Sequence, residues 1–341
     1  MKNAEMKVNI GIQILRLICC FWVVSDHCYC SKNNKMAHFF LTTKKLFHVP
    51  VFMFLSFYFY YKHLKDKSIK KIKVRFNRLL IPYLIWPLIF LISNNICHKI
   101  FGFGNFKRIL SLWDYFSQII HSGQYYPPFW FTTVVSLFSL FFTIFALLFS
   151  KHFLFIIQIF ASFIYNLHRS SNIYTYLKRK NLYKLSFVLS IRMLPIAAVG
   201  LTFGSLNKIS KLKIFYWQIM IMNGIFLYFL FKFDIFQFQK EFLYYDLDSN
   251  IFAAINFFFF FFLIPLENIN KNIAIIIKVI TKYTGGIYYL HSFIKRNFNH
   301  LFKSVRYGTF NGLIIIYIVS YLICHFGYKI FSKTQLKYLF I

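Results

Sequence analysis

Long apolar runs recur along the whole chain, separated by short polar segments. Each run approaches the ~20 residues that an α-helix needs to cross a bilayer, and together they predict about ten spans. These lie at residues 10–29, 46–62, 79–100, 129–150, 153–168, 185–206, 214–233, 251–266, 283–295 and 309–330. We therefore expect an all-α polytopic integral membrane protein, a bundle of about ten transmembrane helices. Residues 10–330 form one membrane domain in this prediction, with short cytosolic tails at 1–9 and 331–341.

The ninth predicted span is the weakest of the ten. Only about a dozen apolar residues follow Lys282, fewer than the ~20 that a full crossing needs. We expect a short or tilted segment at this place.

The orientation follows from basic residues in short loops, which stay in the cytosol. The stretch 62–78 carries eight Lys and Arg residues and is predicted to be cytosolic. With ten spans, both termini are then cytosolic and the acidic loop 234–250 lies outside, in a cell membrane. Two basic loops, 168–184 and 295–306, fit this orientation poorly. The span count between residues 150 and 185 therefore stays open.

The composition agrees with a membrane protein and argues against nucleic-acid binding. Hydrophobic residues make up 58% of the chain and charged residues 14%, whereas soluble domains carry about 25% charged residues. The net charge of +31 would suggest nucleic acid as a partner of a soluble protein. No nucleic-acid module interrupts the spans, so we expect the basic loops to meet anionic lipid headgroups. The six cysteines form no Cys-x-x-Cys pair, and no metal site is predicted.

Arg16 and His27 are the first candidates for chemistry. They are eleven residues apart, about three helical turns, which places them on one face and about 16 Å apart along the axis. An intramembrane Arg is costly and usually faces a partner or a polar cavity; the alternatives are a snorkelling Arg16 and an interfacial His27. Asp26 points about 100° away from its neighbour, so it either acts on His27 electrostatically or meets a basic residue on another helix.

Arg75 and Arg78 form a second candidate site where the third span begins. Residues three apart share one face of a helix, and two guanidinium groups there suit a phosphate, which they bind by paired hydrogen bonds. The alternative is ordinary anchoring by positive charges on the cytosolic side.

The motifs of this chain resemble those of acyltransferase family 3, multi-pass membrane O-acyltransferases that include sugar O-acetylases of bacterial envelopes. The first span resembles the opening helix of the family, where His follows Arg at the eleventh position, here Arg16 and His27. Four further segments resemble the family in order and spacing: HVPVFMFLSFYFYYK at 48–62, Arg75 and Arg78 with Ile81-Pro82-Tyr83, PPFWF at 127–131 and YTGGIYYLHSFI at 283–294. The resemblance covers residues 10 to beyond 290. Phe57 and Leu17 stand where family members usually or often have Gly.

The resemblance implies a donor, an acceptor and roles for the first candidate residues. Acyl-CoA, with acetyl-CoA the expected form, reaches the protein from the cytosol, and a carbohydrate or lipid-linked sugar hydroxyl accepts the acyl group. His27 is the candidate general base and Arg16 a further catalytic candidate; Asp26 is a catalytic candidate because of its charge next to His27. The arginines, Arg75 and Arg78 included, either bind the coenzyme or stabilise developing negative charge.

Trp130 and His291 are the remaining candidates, for substrate binding. Trp and His inside helices are more often packing residues than site residues. The resemblance is the reason for predicting that these two bind substrate.

Other functions are alternatives to acyl transfer. A hydrolase lacks its motif, since no Gly-x-Ser-x-Gly appears in the chain. A transporter or flippase for a lipid-linked sugar would also place Arg and His inside a helix bundle, and it differs in needing no acyl-CoA. An inactive relative of the family is the third alternative. The acceptor glycan, the acyl chain and the oligomeric state do not follow from the sequence.

Overall fold

The computed structural model describes residues 9–28, 35–101, 111–113, 115–116, 129–149, 152–169, 193–206, 218, 221, 225, 247–263, 269–301 and 310–341. All regular structure within these residues is helical. The helices are α1 (Ile10–Cys28), α2 (Lys35–Lys65), α3 (Ile69–Phe101), α4 (Phe129–Leu148), α5 (Phe153–Arg169), α6 (Leu194–Ser205), α7 (Leu247–Leu263), α8 (Lys271–Lys282), α9 (Thr284–Leu301) and α10 (Phe310–Phe331), followed by a 3-10 helix (Gln335–Phe340).

Three described helices are long and apolar enough to cross a membrane, at Ile69–Ser93, Phe131–Leu148 and Asn311–Phe331. A fourth crossing results if α8 and the first part of α9, which are bent by 55° against each other, are one broken span. The bend lies where the sequence predicts a short or tilted segment. Shorter apolar helices occur in α1, α5, α6 and α7. The described part of the chain is therefore that of an all-helical membrane protein, and the number of about ten spans stays a prediction.

The predicted seventh span, 214–233, lies outside the described residues apart from three isolated positions. The part of the predicted sixth span before residue 193 lies outside them as well. Neither the prediction of a span at 214–233 nor the open count between 150 and 185 is tested by the structure.

Most of the basic stretch after the second span is helical, although the sequence predicts a loop there. Helix α3 already begins at Ile69, ten residues before the predicted third span, because Lys and Arg are good helix formers and extend the helix beyond its apolar part. The turn between α2 and α3 is short: Lys67 adopts a left-handed φ of 45°, and the N–H of Ser68 donates to the carbonyl of His63 at 3.3 Å. This is the hydrogen-bond pattern of a Schellman cap. Arg75 and Arg78 are thus carried by helix α3 rather than by a loop.

Helix α1 lies between two clusters of buried apolar side chains. The first cluster gathers around α2 and includes residues of α4 to α7. The second joins α3, α9, α10 and the 3-10 helix. Successive turns of α1 enter both, with Ile12, Leu15 and Cys19 in the first and Cys20, Val23 and Val24 in the second. The helix that carries Arg16 is therefore held from both sides.

The start of α1 is fixed on α7 by Asn9. Its side-chain oxygen accepts from the N–H of Ile12 at 3.2 Å, which caps one of the unpaired N–H groups of the first turn. Its amide group donates to the carbonyl of Phe262 at 2.8 Å. The bond to Phe262 sets the height of α1, and with it that of Arg16, relative to α7.

Residues 335–340, within the predicted tail 331–341, pack against α3, α9 and α10. Leu339 and Phe340 are buried, and the indole N–H of Trp86 donates to the carbonyl of Leu339 at 3.1 Å. Gly286 permits this approach, since a Cβ there would lie 2.8 Å from the carbonyl oxygen of Phe340. The segment closes the end of the bundle at which α3 and α9 begin.

Helix α6 packs on α2 through a Gly-x-x-x-Gly pair, Gly200 and Gly204. A Cβ at Gly200 would overlap the carbonyl oxygen of Phe54, and one at Gly204 would lie 2.5 Å from that of Tyr58. Small residues at this spacing let two helix backbones come close. We expect Gly200→Ala and Gly204→Ala each to lower the free energy of unfolding by about 1–3 kcal/mol, because the backbones must separate. Thermal unfolding of the protein in detergent measures this effect.

A matched control adds bulk where the helix surface is open. Ser162 lies exposed on α5, so Ser162→Val should change the free energy of unfolding by no more than about 0.5 kcal/mol, as surface substitutions do. Wild-type melting temperatures for both glycine variants would contradict the close α2–α6 contact.

Candidate active site

Arg16 lies inside the bundle between α1 and the start of α9. Its Nη2 group donates to the hydroxyl oxygen of Thr284 at 3.1 Å, and its Nη1 group donates to Gln13 at 3.4 Å. Thr284 is 2% exposed and its hydroxyl in turn donates to the carbonyl of Thr281 at 3.0 Å. The hydroxyl oxygen of Thr284 is therefore oriented to accept from Arg16, and the guanidinium position is fixed.

The partners of Arg16 are neutral. Within the part of the chain that the structure describes, no acidic side chain pairs with it. Two neutral hydrogen bonds satisfy part of the five N–H groups of the guanidinium without cancelling its charge. A positive charge held in this way inside a helix bundle is suited to bind an anion.

Helix α1 runs without a break from Ile10 to Cys28, so the eleven-residue spacing of Arg16 and His27 places both on one face of the helix. The side chains of His27 and Asp26 lie outside the described residues. Their catalytic roles stay predictions from the register of α1.

Arg75 is engaged by its own protein. Its Nε group donates to the hydroxyl of Ser139 on α4 at 3.0 Å, and Nη1 and Nη2 donate to the carbonyl and hydroxyl of Ser56 on α2 at 3.2 and 2.9 Å. The guanidinium also lies over the ring of Tyr60, 4.1 Å from its centroid, a cation–π contact. Arg75 thus ties three helices together in this conformation.

Arg78 differs from Arg75 in being exposed. Among the described residues it forms no hydrogen bond or ion pair. It lies close enough to Arg16 and to Arg75 for the charges to interact. The structure therefore brings three predicted arginines to one end of the bundle and leaves the guanidinium of Arg78 open to solvent.

The positive charges at this end of the bundle also act on a residue outside the predicted spans, His63. His63 follows the predicted second span. Burial lowers the pKa of His63, and the positive charges of Lys71, Arg75 and Arg78 lower it further. Burial and the neighbouring positive charges both favour the neutral form of the imidazole.

His291 is buried in α9. Its Nδ1 lies 3.2 Å from the carbonyl oxygen of Ile287, which can only accept, so this bond needs the tautomer with a proton on Nδ1. Nε2 then accepts from the hydroxyl of Ser292 at 3.1 Å. The ring is held within its own helix.

The start of α4 meets α9 close to His291. Thr132 and Tyr289 form a buried hydrogen bond of 2.5 Å, and the rings of Phe131 and Tyr288 lie 5.7 Å apart. The side chain of Trp130 lies outside the described residues. The structure thus joins the two segments that carry Trp130 and His291, and the substrate-binding roles of both stay predictions.

Sequence reasoning did not find the partners of the two buried arginines. Thr284 is 268 residues from Arg16 in the chain, and single hydroxyls such as Ser56 and Ser139 are ordinary in apolar helices. No pattern marks such a residue before the helices are packed.

The comparison with protein families bears on the whole chain. The family model of acyltransferase family 3, described as an acyltransferase domain, matches residues 9–328. The chain belongs to acyltransferase family 3. The resemblance predicted from the five motifs is confirmed, and the acyltransferase match contains every predicted site residue from Arg16 to His291. No curated protein and no solved structure matches the chain.

Proposed function

We propose that this acyltransferase transfers an acyl group, with acetyl the expected group, from acyl-CoA to a carbohydrate hydroxyl. The observation that carries the proposal is the position of Arg16. It is held by Thr284 inside the bundle near the exposed Arg78, on the face of α1 that also carries His27. Helix α1 thus carries both a residue suited to bind phosphate, Arg16, and the candidate base, His27.

The proposal includes a bundle of about ten spans with both termini cytosolic, in a cell membrane. Several contacts support a common cytosolic end: Arg16 joins the beginning of α9, and Asn77 near the beginning of α3 donates to Gln335 after α10 at 3.4 Å. The basic end of α2 lies there as well, through the short turn into α3. Positive residues collect at the cytosolic side, from which a soluble coenzyme arrives.

Arg16 and Arg78 hold the phosphate groups of the coenzyme in this proposal. Guanidinium groups bind phosphate through paired, charge-assisted hydrogen bonds. Arg75 is assigned a positioning role, because its three bonds to Ser56 and Ser139 hold the first turns of α3. The thioester then lies about 16 Å from Arg16 along α1, near His27.

His27 acts as the general base on the acceptor. The sugar hydroxyl gives its proton to the neutral imidazole while its oxygen attacks the thioester carbonyl carbon. The new C–O bond forms and the C–S bond breaks. Coenzyme A leaves as the thiolate, which takes the proton from the imidazolium, so the products are the O-acyl sugar and the free thiol.

Acetyl transfer from radiolabelled acetyl-CoA tests the proposal in membranes that contain the chain. Envelope glycans are extracted and treated with mild base, which releases O-linked but not N-linked acetyl groups. Base-labile label in a glycan is the expected result. Absence of donor consumption with several acyl-CoAs and glycans, with folded protein present, would contradict it and favour the transporter or the inactive relative.

Arg78→Ala and Arg75→Ala should have different effects. We expect Arg78→Ala to raise the KM for acetyl-CoA by about tenfold or more, as loss of a charge-assisted hydrogen bond does, with the melting temperature unchanged. Arg75→Ala should lower the melting temperature, because Ser56 and Ser139 lose their donor inside the protein. Initial rates and thermal unfolding measure the two effects.

Lys73→Ala is the control for lost positive charge, since Lys73 lies exposed on the same helix. Its KM should stay close to that of the wild type. The assignment of roles is wrong if Arg75→Ala raises the KM for acetyl-CoA at unchanged stability.

A further inference from the structure

Helix α8 carries a stripe of lysines that the proposed reaction does not use. At 100° per residue, Lys271, Lys278 and Lys282 fall within about 40° of one another around the helix axis, and all three are exposed. The sequences of α8, α9 and α10 contain no Asp or Glu. Within the described part of the chain, none of the three lysines takes part in an ion pair. The stripe is therefore a strip of uncompensated positive charge.

The outward face of α8 next to the stripe is apolar. The helix packs on α1 and buries Thr281 completely. Away from α1 and from the lysines, the exposed fractions of Ile273 and Ile276 are 49% and 56%, and Ile275, 59% exposed, lies at the edge of the stripe. A helix with lysines on one face and large aliphatic residues on another is typical of the membrane interface. The 55° bend between α8 and α9 turns α8 away from the direction of α9, as an interfacial position requires.

An apolar groove lies between α8 and α10, directly beside the lysine stripe. Its volume is about 370 Å³, and its walls are four aliphatic side chains of α8, Ile275 among them, and Tyr317, Ile318 and Tyr321 of α10. Ile275 is about 20° from Lys282 around the helix. Lys282 is fixed at this seam, because its Nζ lies 3.3 Å from the ring centroid of Tyr328 on α10.

We infer that α8 and α10 form a binding site for an anionic phospholipid of the membrane leaflet that faces this end of the bundle. The phosphate group lies on the lysine stripe, and one acyl chain fills the groove. Charge complementarity decides for an anionic lipid, since each basic residue near a surface adds roughly 1 kcal/mol to the attraction of anionic lipids. The inference is independent of the acyl-transfer chemistry.

Native mass spectrometry of the purified full chain tests this site with phosphatidylglycerol and phosphatidylcholine that carry the same acyl chains. We expect the wild type to bind the anionic lipid at least fivefold more tightly. The triple variant Lys271→Gln, Lys278→Gln, Lys282→Gln should lose this preference and bind the two lipids about equally. Ile276→Trp, which fills the groove, should weaken binding of both lipids while folding and the lysine stripe stay intact.

A second triple variant separates a site from general charge attraction. Lys65→Gln, Lys70→Gln, Lys73→Gln removes three exposed lysines outside α8 and changes the net charge equally. It should keep the lipid preference. Equal binding of the two lipids by the wild type, or an equal loss in both triple variants, would overturn the inference. Displacement of the lipid by glycerol phosphate alone at similar concentration would overturn the role of the groove. Ile276→Trp tests the role of the groove even if the α8 triple variant does not fold.

Discussion

Replacement of His27 by alanine is expected to lower acyl transfer by about 10²–10⁴-fold, the contribution of a positioned general base. A sugar hydroxyl is a poor nucleophile at neutral pH, and the neutral imidazole is what takes its proton in the proposed step. The KM for acetyl-CoA should change little, because Arg16, which binds phosphate in this proposal, is about 16 Å away along α1. Initial rates of labelled acetyl transfer in membranes with equal amounts of protein measure both quantities.

His152→Ala is the matched control, because His152 is exposed before α5 and lies outside the proposed site. Its rate should equal that of the wild type. The wild-type rate should also fall as the pH is lowered, since an imidazolium ion cannot accept a proton, and this dependence should disappear from the residual rate of His27→Ala. Normal transfer by His27→Ala would remove His27 from the mechanism and leave the family assignment untouched.

The extent to which sequence predicts these helices depends on where their apolar part ends. The predicted span 309–330 agrees with Phe310–Phe331, and 153–168 agrees with Phe153–Arg169, because polar residues follow closely on the apolar run. The predicted start of α3 is ten residues too late, because hydropathy does not indicate that the charged residues from Lys70 to Arg78 continue the helix. Helix α2 likewise begins at Lys35, before the predicted start at residue 46.

The candidate site was predictable only as far as charge within an apolar run marks it. Arg16 stands out in α1 for this reason, and Arg75 and Arg78 stand out as a pair. From the sequence alone, both arginines of the pair are predicted to have the same role. The structure distinguishes them, because Arg75 donates hydrogen bonds to Ser56 and Ser139 on other helices, whereas Arg78 is exposed. Such a distinction depends on packing between helices, which no local pattern contains.

Arg16→Ala is expected to lower kcat/KM for acetyl-CoA by about 10²-fold, through loss of charge-assisted hydrogen bonds to phosphate in the bundle interior. Arg16→Lys should recover only part of the loss, because an ammonium group lacks the planar fork of donors. A short acetyl thioester without nucleotide phosphates, S-acetyl-N-acetylcysteamine, serves as the second donor. Its slow transfer should be equal in the wild type and in Arg16→Ala. A similar loss with both donors would mean that Arg16 does not act on phosphate.

Thr284→Val tests how Arg16 is positioned. The substitution keeps the shape of the side chain but removes the oxygen that accepts from Arg16, so kcat/KM should fall by about tenfold or more, the contribution of one hydrogen bond to a charged group. In Arg16→Ala with Thr284→Val, the loss should equal that of Arg16→Ala alone, because Thr284 acts through the guanidinium. Independent sites give additive losses. Additive losses in the double variant would therefore show that Thr284 contributes by a separate route. Non-additive losses would show that Thr284, at the start of α9, affects the donor by holding Arg16.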